Sequence, residues 1–150
     1  MSSIQPISIT RYDDTRHRAG VIALWQSAFA YGTAHNDPAL SLDKKLALSD
    51  GLLFVAQGLQ DAVIGTAMAG YDGHRGWLYS VAVQAPLRGA GIGSALVRHA
   101  EQALEARGCL KINLQLVASN DATAAFYERL GYAVEPRISM GKVLQRNVPR

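Results

Sequence analysis

Cysteine is nearly absent from this sequence: its 150 residues include one, Cys109. A single cysteine cannot form an internal disulfide, which excludes a disulfide-stapled secreted domain and favours a reducing compartment. Because no histidine lies in a recognisable partner motif for a nucleophilic thiol, Cys109 is interpreted as a small buried strand residue. The four histidines, His17, His35, His74 and His99, show no metal-ligand spacing, so no metal site is expected.

Long apolar runs are also missing. No stretch approaches the roughly 18 unbroken apolar residues that cross a membrane. Residues 1–10 lack the basic and apolar regions of a secretory signal. These absences predict a cytoplasmic protein with no membrane partner.

An excess of charge is lacking as well, since the net charge is only +3 and the pI about 9.2. This balance suits an anionic partner, either a nucleotide-containing cofactor or nucleic acid. The basic residues are scattered, and the loose C-terminal group has no interleaved aromatics: Arg137, Lys142, Arg146 and Arg150. That group is interpreted as a solvated face, and no nucleic acid partner is expected.

The length and the 49% hydrophobic content fit a single domain over residues 1–150. A short strand at Ile7 and Ile9 precedes a helix capped by Asp13 or Asp14. The apolar stripe of that helix runs through Val21, Leu24, Trp25 and Ala28 and could extend to Tyr31. Residues 32–38 are typical of a loop, and residues 40–48 predict a second helix.

The remaining pattern alternates between extended and helical periods. Three apolar runs predict strands joined by hairpins, at residues 53–56, 62–69 and 77–83. A helix is predicted over 94–107, with Leu96, Ala100, Ala103 and Leu104 inward and Gly108 as its stop. A strand over 111–116 follows, then a helix capped by Ser119 or Asn120 that buries Ala122, Phe126 and Leu130 and stops at Gly131. Residues 132–144 are predicted as a final strand region, which gives an α/β or α+β layer with a mixed sheet.

A glycine-rich junction between a strand and a helix carries the clearest chemical signal. Backbone N–H groups at a helix N-terminus have no internal partners, and the helix dipole favours an anion there. Glycine lets an anion approach the backbone, and Arg88 can add a charge-assisted hydrogen bond. The candidate phosphate-binding residues, called the glycine loop below, are Arg88, Gly89, Ala90, Gly91, Ile92, Gly93 and Ser94.

Two familiar phosphate loops fail against these residues. The dinucleotide fingerprint G-x-G-x-x-G needs glycine where Ser94 or Leu96 stands, and a P-loop needs a lysine that is not present. A glycine-rich turn that merely starts a helix stays open as an alternative.

The spacing Arg88-x-x-Gly91-x-Gly93 resembles the pyrophosphate loop of the GNAT N-acetyltransferases. Residues 120–132 (NDATAAFYERLGY) are similar to the NxxAxxxYxxxGF/Y signature of the same family. The resemblance covers residues 53–144 and has both motifs in the correct order. Residues 71–76 and 36–38 are further similar to a bacterial YpeA-like subgroup.

The resemblance implies a mixed, mostly antiparallel central sheet flanked by helices, with strands 77–83 and 111–117 splayed apart. The pantetheine arm of acetyl-CoA would fill this gap against the main chain of Val81, Ala82 and Val83, whose N–H groups could also stabilise the thioester oxyanion. The implied activity is acetyl transfer from acetyl-CoA to a primary amine of a small molecule, peptide or protein. The resemblance implies that acetyl-CoA is the cosubstrate.

The resemblance also implies roles for two residues of the second motif. Tyr127 would be the general acid, and its place off the stripe of Ala122, Phe126 and Leu130 predicts that it faces the cleft. A tyrosine packed against the sheet is the alternative. Asn120 could bind the pantetheine arm, cap the helix, or do both.

The general base and the acceptor stay open. Strand 77–83 lacks the glutamate that many members of the resembled family have near there, so the amine could lose its proton to water, Tyr79, His74 or Asp72. The polar loop of His35, Asn36 and Asp37 could line an amine pocket. A coenzyme-binding regulatory module without transferase activity, and a nucleic-acid binder, are the alternatives by function. A homodimer through the C-terminal strands is possible.

Overall fold

The structure is a computed structural model that describes residues 7–29 and 36–144. Tyr31, His35, Arg146 and Arg150, and most of the loop at 32–38, lie outside the described residues. The chain divides into two compact units, Met1–Leu114 and Gln115–Arg150. The single domain over residues 1–150 stays a prediction.

In its described residues, the first unit contains a five-stranded sheet and three α-helices. In chain order, its elements are β1 (Ser8–Arg11), α1 (Asp14–Ala28), α2 (Pro38–Leu48), β2 (Leu53–Gln57), β3 (Val63–Tyr71), β4 (Gly76–Val83), α3 (Ile92–Ala106) and β5 (Ile112–Asn113). The strands lie in the order β1-β2-β3-β4-β5, antiparallel except for the parallel β4–β5 pair. The prediction of a mixed, mostly antiparallel sheet is confirmed.

The pairing of β4 with β5 is short. It has two register pairs, Gly76 with Ile112 and Trp77 with Asn113. Among the described strands, residues 78–83 pair only with β3. The expected splaying is therefore present, and the strand predicted over 111–116 is wrong in extent. Alternating apolar residues set a side-chain period, but they do not supply a neighbouring strand once two strands diverge.

Helix α1 begins where the sequence predicts. The Asp13 carboxylate accepts a hydrogen bond from the Arg16 N–H at 2.9 Å, which is an N-cap. The predicted stripe is confirmed, since Val21, Leu24 and Trp25 are buried in the core. His17 is buried as well, and its Nε2 lies 2.8 Å from the Gln57 side-chain oxygen of β2.

Helix α3 packs closely on the sheet. Leu96, Ala100 and Leu104 are buried as predicted, and Gly108 ends the helix with φ +86°. The helix begins at Ile92, two residues earlier than predicted, and Gly91, in a left-handed conformation that glycine readily adopts, is its N-cap.

The second unit contains α4 (Asp121–Arg129), and its buried face differs from the prediction. Tyr127 is the buried residue, whereas Ala122 is exposed and Phe126 is only partly buried. The Tyr127 ring contacts Phe126 and Tyr132, with centroids 4.9 and 5.6 Å away, so aromatic packing rather than the aliphatic stripe decides the face.

The predicted strand region over 132–144 is also wrong. No strand is present among residues 132–144, and Val134, Ile138 and Met140 are exposed. Apolar spacing alone does not make a strand without a partner edge for its backbone groups.

The approach of α3 to the sheet depends on Gly65. A Cβ atom at this position would lie 2.8 Å from Leu96 Cδ1 and 3.0 Å from the Ala82 carbonyl oxygen. Overpacking of this kind costs about 1–3 kcal/mol. We therefore expect Gly65→Ala to lower the free energy of unfolding by that amount in urea denaturation.

Gly70→Ala is the matched control on the same strand. Its Cβ would meet only Tyr79 Cε2, at an ordinary 3.8 Å. The free energy of unfolding of this variant should stay close to that of the wild type. Equal stability of the two variants would contradict the close packing described.

Candidate active site

The glycine loop forms an open junction between β4 and α3. A short 3-10 turn, Ala85–Leu87, leads into it, and residues 88–91 are exposed. Ile92 is buried and anchors the first turn of the helix in the core. The loop is therefore fixed at its helical end and open to solvent in its middle.

Two glycines in this loop have backbone conformations that other residues rarely adopt. Gly89 and Gly91 both have φ +86°, and a Cβ atom at either would meet nothing within 4 Å. In the described part of the chain, no side chain caps the α3 N-terminus. Its first N–H groups are thus available to an external acceptor, as an anion site requires.

Arg88 turns back toward β4. Its Nε donates a hydrogen bond to the Val83 carbonyl oxygen at 3.1 Å, and its side chain is exposed. The structure thereby brings together two of the predicted cofactor residues. The bond orients the planar guanidinium beside the loop, where its other N–H groups can serve an anion.

The segment with Val81, Ala82 and Val83 lies at the end of β4, directly before the loop. Ala82 pairs with Thr66 and Val83 with Gly65 on β3. Ser80, which precedes the segment, has φ +48° inside the strand, a feature that the sequence analysis missed. A serine in an apolar run, at residues 77–83, was the only signal.

Tyr127 and Asn120 belong to the second unit. Burial raises the pKa of the Tyr127 phenol to about 12, so the hydroxyl stays protonated at neutral pH. The Asn120 side-chain oxygen accepts a hydrogen bond from the Thr123 N–H at 3.3 Å. The predicted helix cap is therefore confirmed.

A cavity of about 700 Å³ lies between α2 and strands β3 and β4 of the first unit. Its lining includes Leu40, Lys44, Met68, Asp72, Trp77 and Tyr79. Most of the wall is apolar, and its charged side chains are the Asp72 carboxylate and two lysines, Lys44 and Lys45, of which Lys45 forms an ion pair with Asp50. The cavity can take an apolar group that carries a polar or charged end.

Two titratable groups of this cavity have shifted pKa values. Hydrogen bonds from the backbone N–H groups of Arg75 and His74 lower the pKa of Asp72. Partial burial, and then the charge of Asp72, raise the pKa of Tyr79. At neutral pH the site therefore contains a carboxylate and a neutral phenol, and Asp72 is a weak base.

The remaining candidates have plain structural roles. Cys109 is buried and donates a hydrogen bond from Sγ to the Lys111 carbonyl oxygen at 3.3 Å, as its interpretation as a buried residue predicts. His74 is exposed in the turn after β3. Within residues 7–29 and 36–144, no three metal-ligating side chains cluster, and no helix is long and apolar enough to span a membrane.

Residues 18–132 match the acetyltransferase (GNAT) family. The chain belongs to this family. It is 39% identical over 124 residues to an acetyltransferase of Yersinia enterocolitica, covering 83% of this chain and 86% of the relative. It is also 39% identical over 138 residues to an acetyltransferase of Pectobacterium atrosepticum, covering 92% and 94%. The protein is therefore an acyltransferase.

Solved GNAT-like structures share the fold. An aminoglycoside N-acetyltransferase in complex with CoA superposes with a TM-score of 0.77, 17% identity, and coverage of 96% of this chain and 99% of that one. A ribosomal-protein alanine N-acetyltransferase of Escherichia coli gives a TM-score of 0.66, 25% identity, and coverage of 84% and 77%. These likenesses identify the mixed sheet with splayed strands as a GNAT fold.

Proposed function

We propose that this GNAT acetyltransferase transfers the acetyl group of acetyl-CoA directly to a primary amine. The open glycine loop carries the proposal. Gly89 and Gly91 leave space where any other side chain would stand, so a diphosphate can reach the main chain. The aminoglycoside N-acetyltransferase of the same fold was solved with CoA, which supports the same cosubstrate here.

The chemistry needs a neutral amine, a stabilised oxyanion and a proton donor for the leaving thiolate. The residues proposed to bind the pantetheine arm are Val81, Ala82 and Val83, with N–H groups for the oxyanion. Tyr127 is the proposed donor, and its pKa, which burial raises to about 12, leaves the phenol protonated at neutral pH as in an ordinary tyrosine. Asn120 caps α4 through its oxygen, and its amide nitrogen is the group proposed to contact the arm.

The cavity beside β4 is the proposed acceptor site. Its apolar wall would pack against the body of the acceptor. The Asp50 carboxylate pairs with one lining lysine, Lys45, and the Asp72 carboxylate would attract the ammonium form of the amine against the remaining lysine, Lys44. Because the pKa of Asp72 is lowered and that of Tyr79 raised, neither is a good base at neutral pH. We propose that the amine gives its proton to water at the open mouth of the cavity.

The acceptor class extends from small molecules to peptides. The two fold neighbours are named as N-acetyltransferases of an aminoglycoside and of an alanine of a ribosomal protein. The proposal also includes a single domain over residues 1–150, a cytoplasmic location, membership of the YpeA-like subgroup, and no nucleic acid partner. The buried thiol of Cys109 supports a reducing compartment.

A homodimer through the segment after α4 belongs to the proposal as well. Ile138 is 91% exposed and Met140 is 90% exposed, which is unusual for large apolar side chains.

The glycine loop can be tested with two matched glycines at opposite ends of α3. Gly91 and Gly108 share φ +86°, and neither Cβ atom would meet a neighbour within 4 Å. Substitution by alanine should therefore strain the backbone equally at both positions and lower the free energy of unfolding by about 1–2 kcal/mol in each variant. We expect only Gly91→Ala to weaken the calorimetric affinity for coenzyme A, because only its backbone lies in the anion site. Equal affinity of the two variants would remove the loop from the cofactor site.

Tyr127→Phe tests the proton donor. The change removes only the hydroxyl, so kcat should fall about 10²-fold or more while the dissociation constant of coenzyme A stays the same. Tyr132→Phe is the control, because its ring packs in the same cluster. Wild-type turnover in Tyr127→Phe would exclude Tyr127 from the reaction.

Asp72→Asn tests the acceptor site in a screen of amines that follows acetyl-CoA consumption. Loss of this exposed charge should raise the KM of cationic amines by up to about fivefold and leave the affinity for coenzyme A unchanged. Glu105→Gln, an exposed carboxylate on α3, is the control. If Asp72→Asn leaves the KM of cationic amines unchanged, the acceptor does not bind beside Asp72. Tight binding of acetyl-CoA without transfer to any amine would instead favour a regulatory module.

A further inference from the structure

The end of β4 contains a bulge. The register passes from Thr66 opposite Ala82 to Met68 opposite Tyr79, so two residues of β4 face one residue of β3. Ser80, one of the two, has φ +48°. Over the described ranges, the other non-glycine residues with positive φ lie at a helix end and in a short turn, at Ser49, Gln60 and Asp61. A left-handed serine inside a strand needs support from the surrounding structure.

Two buried side chains supply that support. The Trp25 indole N–H donates to Thr66 Oγ1 at 2.9 Å, and Thr66 Oγ1 donates to the Ser80 carbonyl oxygen at 2.8 Å. Trp25 and Thr66 are both completely buried. A hydroxyl has one proton, and the indole can only donate, so the Thr66 proton is directed to Ser80.

This chain of hydrogen bonds fixes the orientation of one peptide group. In a planar trans peptide, the carbonyl of one residue and the N–H of the next point in opposite directions. Because the Ser80 carbonyl points to Thr66 on β3, the Val81 N–H points away from Thr66. Beyond Trp77, the opposite edge of β4 is the one that has left the ladder with β5.

We infer that Trp25 and Thr66 are positioning residues that aim the Val81 N–H at the thioester oxygen of acetyl-CoA. The inference rests on the proposed function and adds two residues to it, neither of which touches the reacting atoms. Without the Thr66 hydroxyl, the indole N–H and the Ser80 carbonyl would lose their buried partner. The Ser80–Val81 peptide could then rotate, and the Val81 N–H would no longer have a fixed direction.

Amide NMR spectra of the full chain test this directly, with coenzyme A and acetyl-CoA as the two probes. The Gly91 amide should respond equally to both, because both carry the diphosphate. The Val81 amide should respond more to acetyl-CoA, because only this probe carries the thioester oxygen. In Thr66→Val the acetyl-dependent response of Val81 should disappear while that of Gly91 persists, and Thr66→Ser should restore it.

Turnover gives a second readout. With an amine that supports transfer, Thr66→Val should lower kcat roughly 10- to 100-fold with little change in the KM of acetyl-CoA, and Thr66→Ser should recover most of it. Trp25→Phe, which keeps an aromatic ring in the core, should give a smaller loss of the same kind. If Thr66→Val does not fold, Trp25→Phe serves as the test in its place.

The outcomes separate the two claims. A Val81 amide that ignores the acetyl group in the wild type, while Gly91 responds, would overturn the inference and leave the proposed function standing. A folded Thr66→Val variant with wild-type kcat would also overturn the inference and leave the proposed function standing. If neither amide responds to either probe, the proposed function fails and the inference with it.

Discussion

The packing of α3 against β3 determines where the glycine loop lies. Gly65 has no side chain, so Leu96 of the helix and the Ala82 carbonyl of β4 can both lie against it. The buried Ile92 then holds the first turn of α3 to the sheet. Because a helix N-terminus directs its N–H groups along its axis, the position of this one helix also sets the position of the anion site.

A second constraint acts at the same end of β4. The strand leaves its ladder with β5 after two pairs and contains a bulge at Ser80. Side chains of α1 and β3, Trp25 and Thr66, hold this irregular backbone from within the core. The buried core and the proposed catalytic segment are thus parts of one hydrogen-bonded arrangement, so substitutions far from the coenzyme can affect the reaction.

Strong periodic patterns predicted the elements of the first unit to within two residues, except for β5, which ends three residues earlier than predicted. The stripe of Val21, Leu24 and Trp25 and the glycines of the loop were readable because local chemistry dictates them. The bulge was not, because serine has no local preference for φ +48° and adopts it here through a bond from Thr66, far away in sequence. The buried face of α4 was missed because nine residues with only two large apolar side chains, Phe126 and Tyr127, do not define a stripe, and ring contacts of Tyr127 decide it.

The account depends on main-chain amides of the glycine loop binding the diphosphate of coenzyme A. The most direct measurement is a calorimetric comparison of coenzyme A with pantetheine, which shares the thiol arm but has no diphosphate. The account predicts that coenzyme A binds and that pantetheine binds far more weakly. Equal binding of the two compounds, or no binding of coenzyme A, would contradict it.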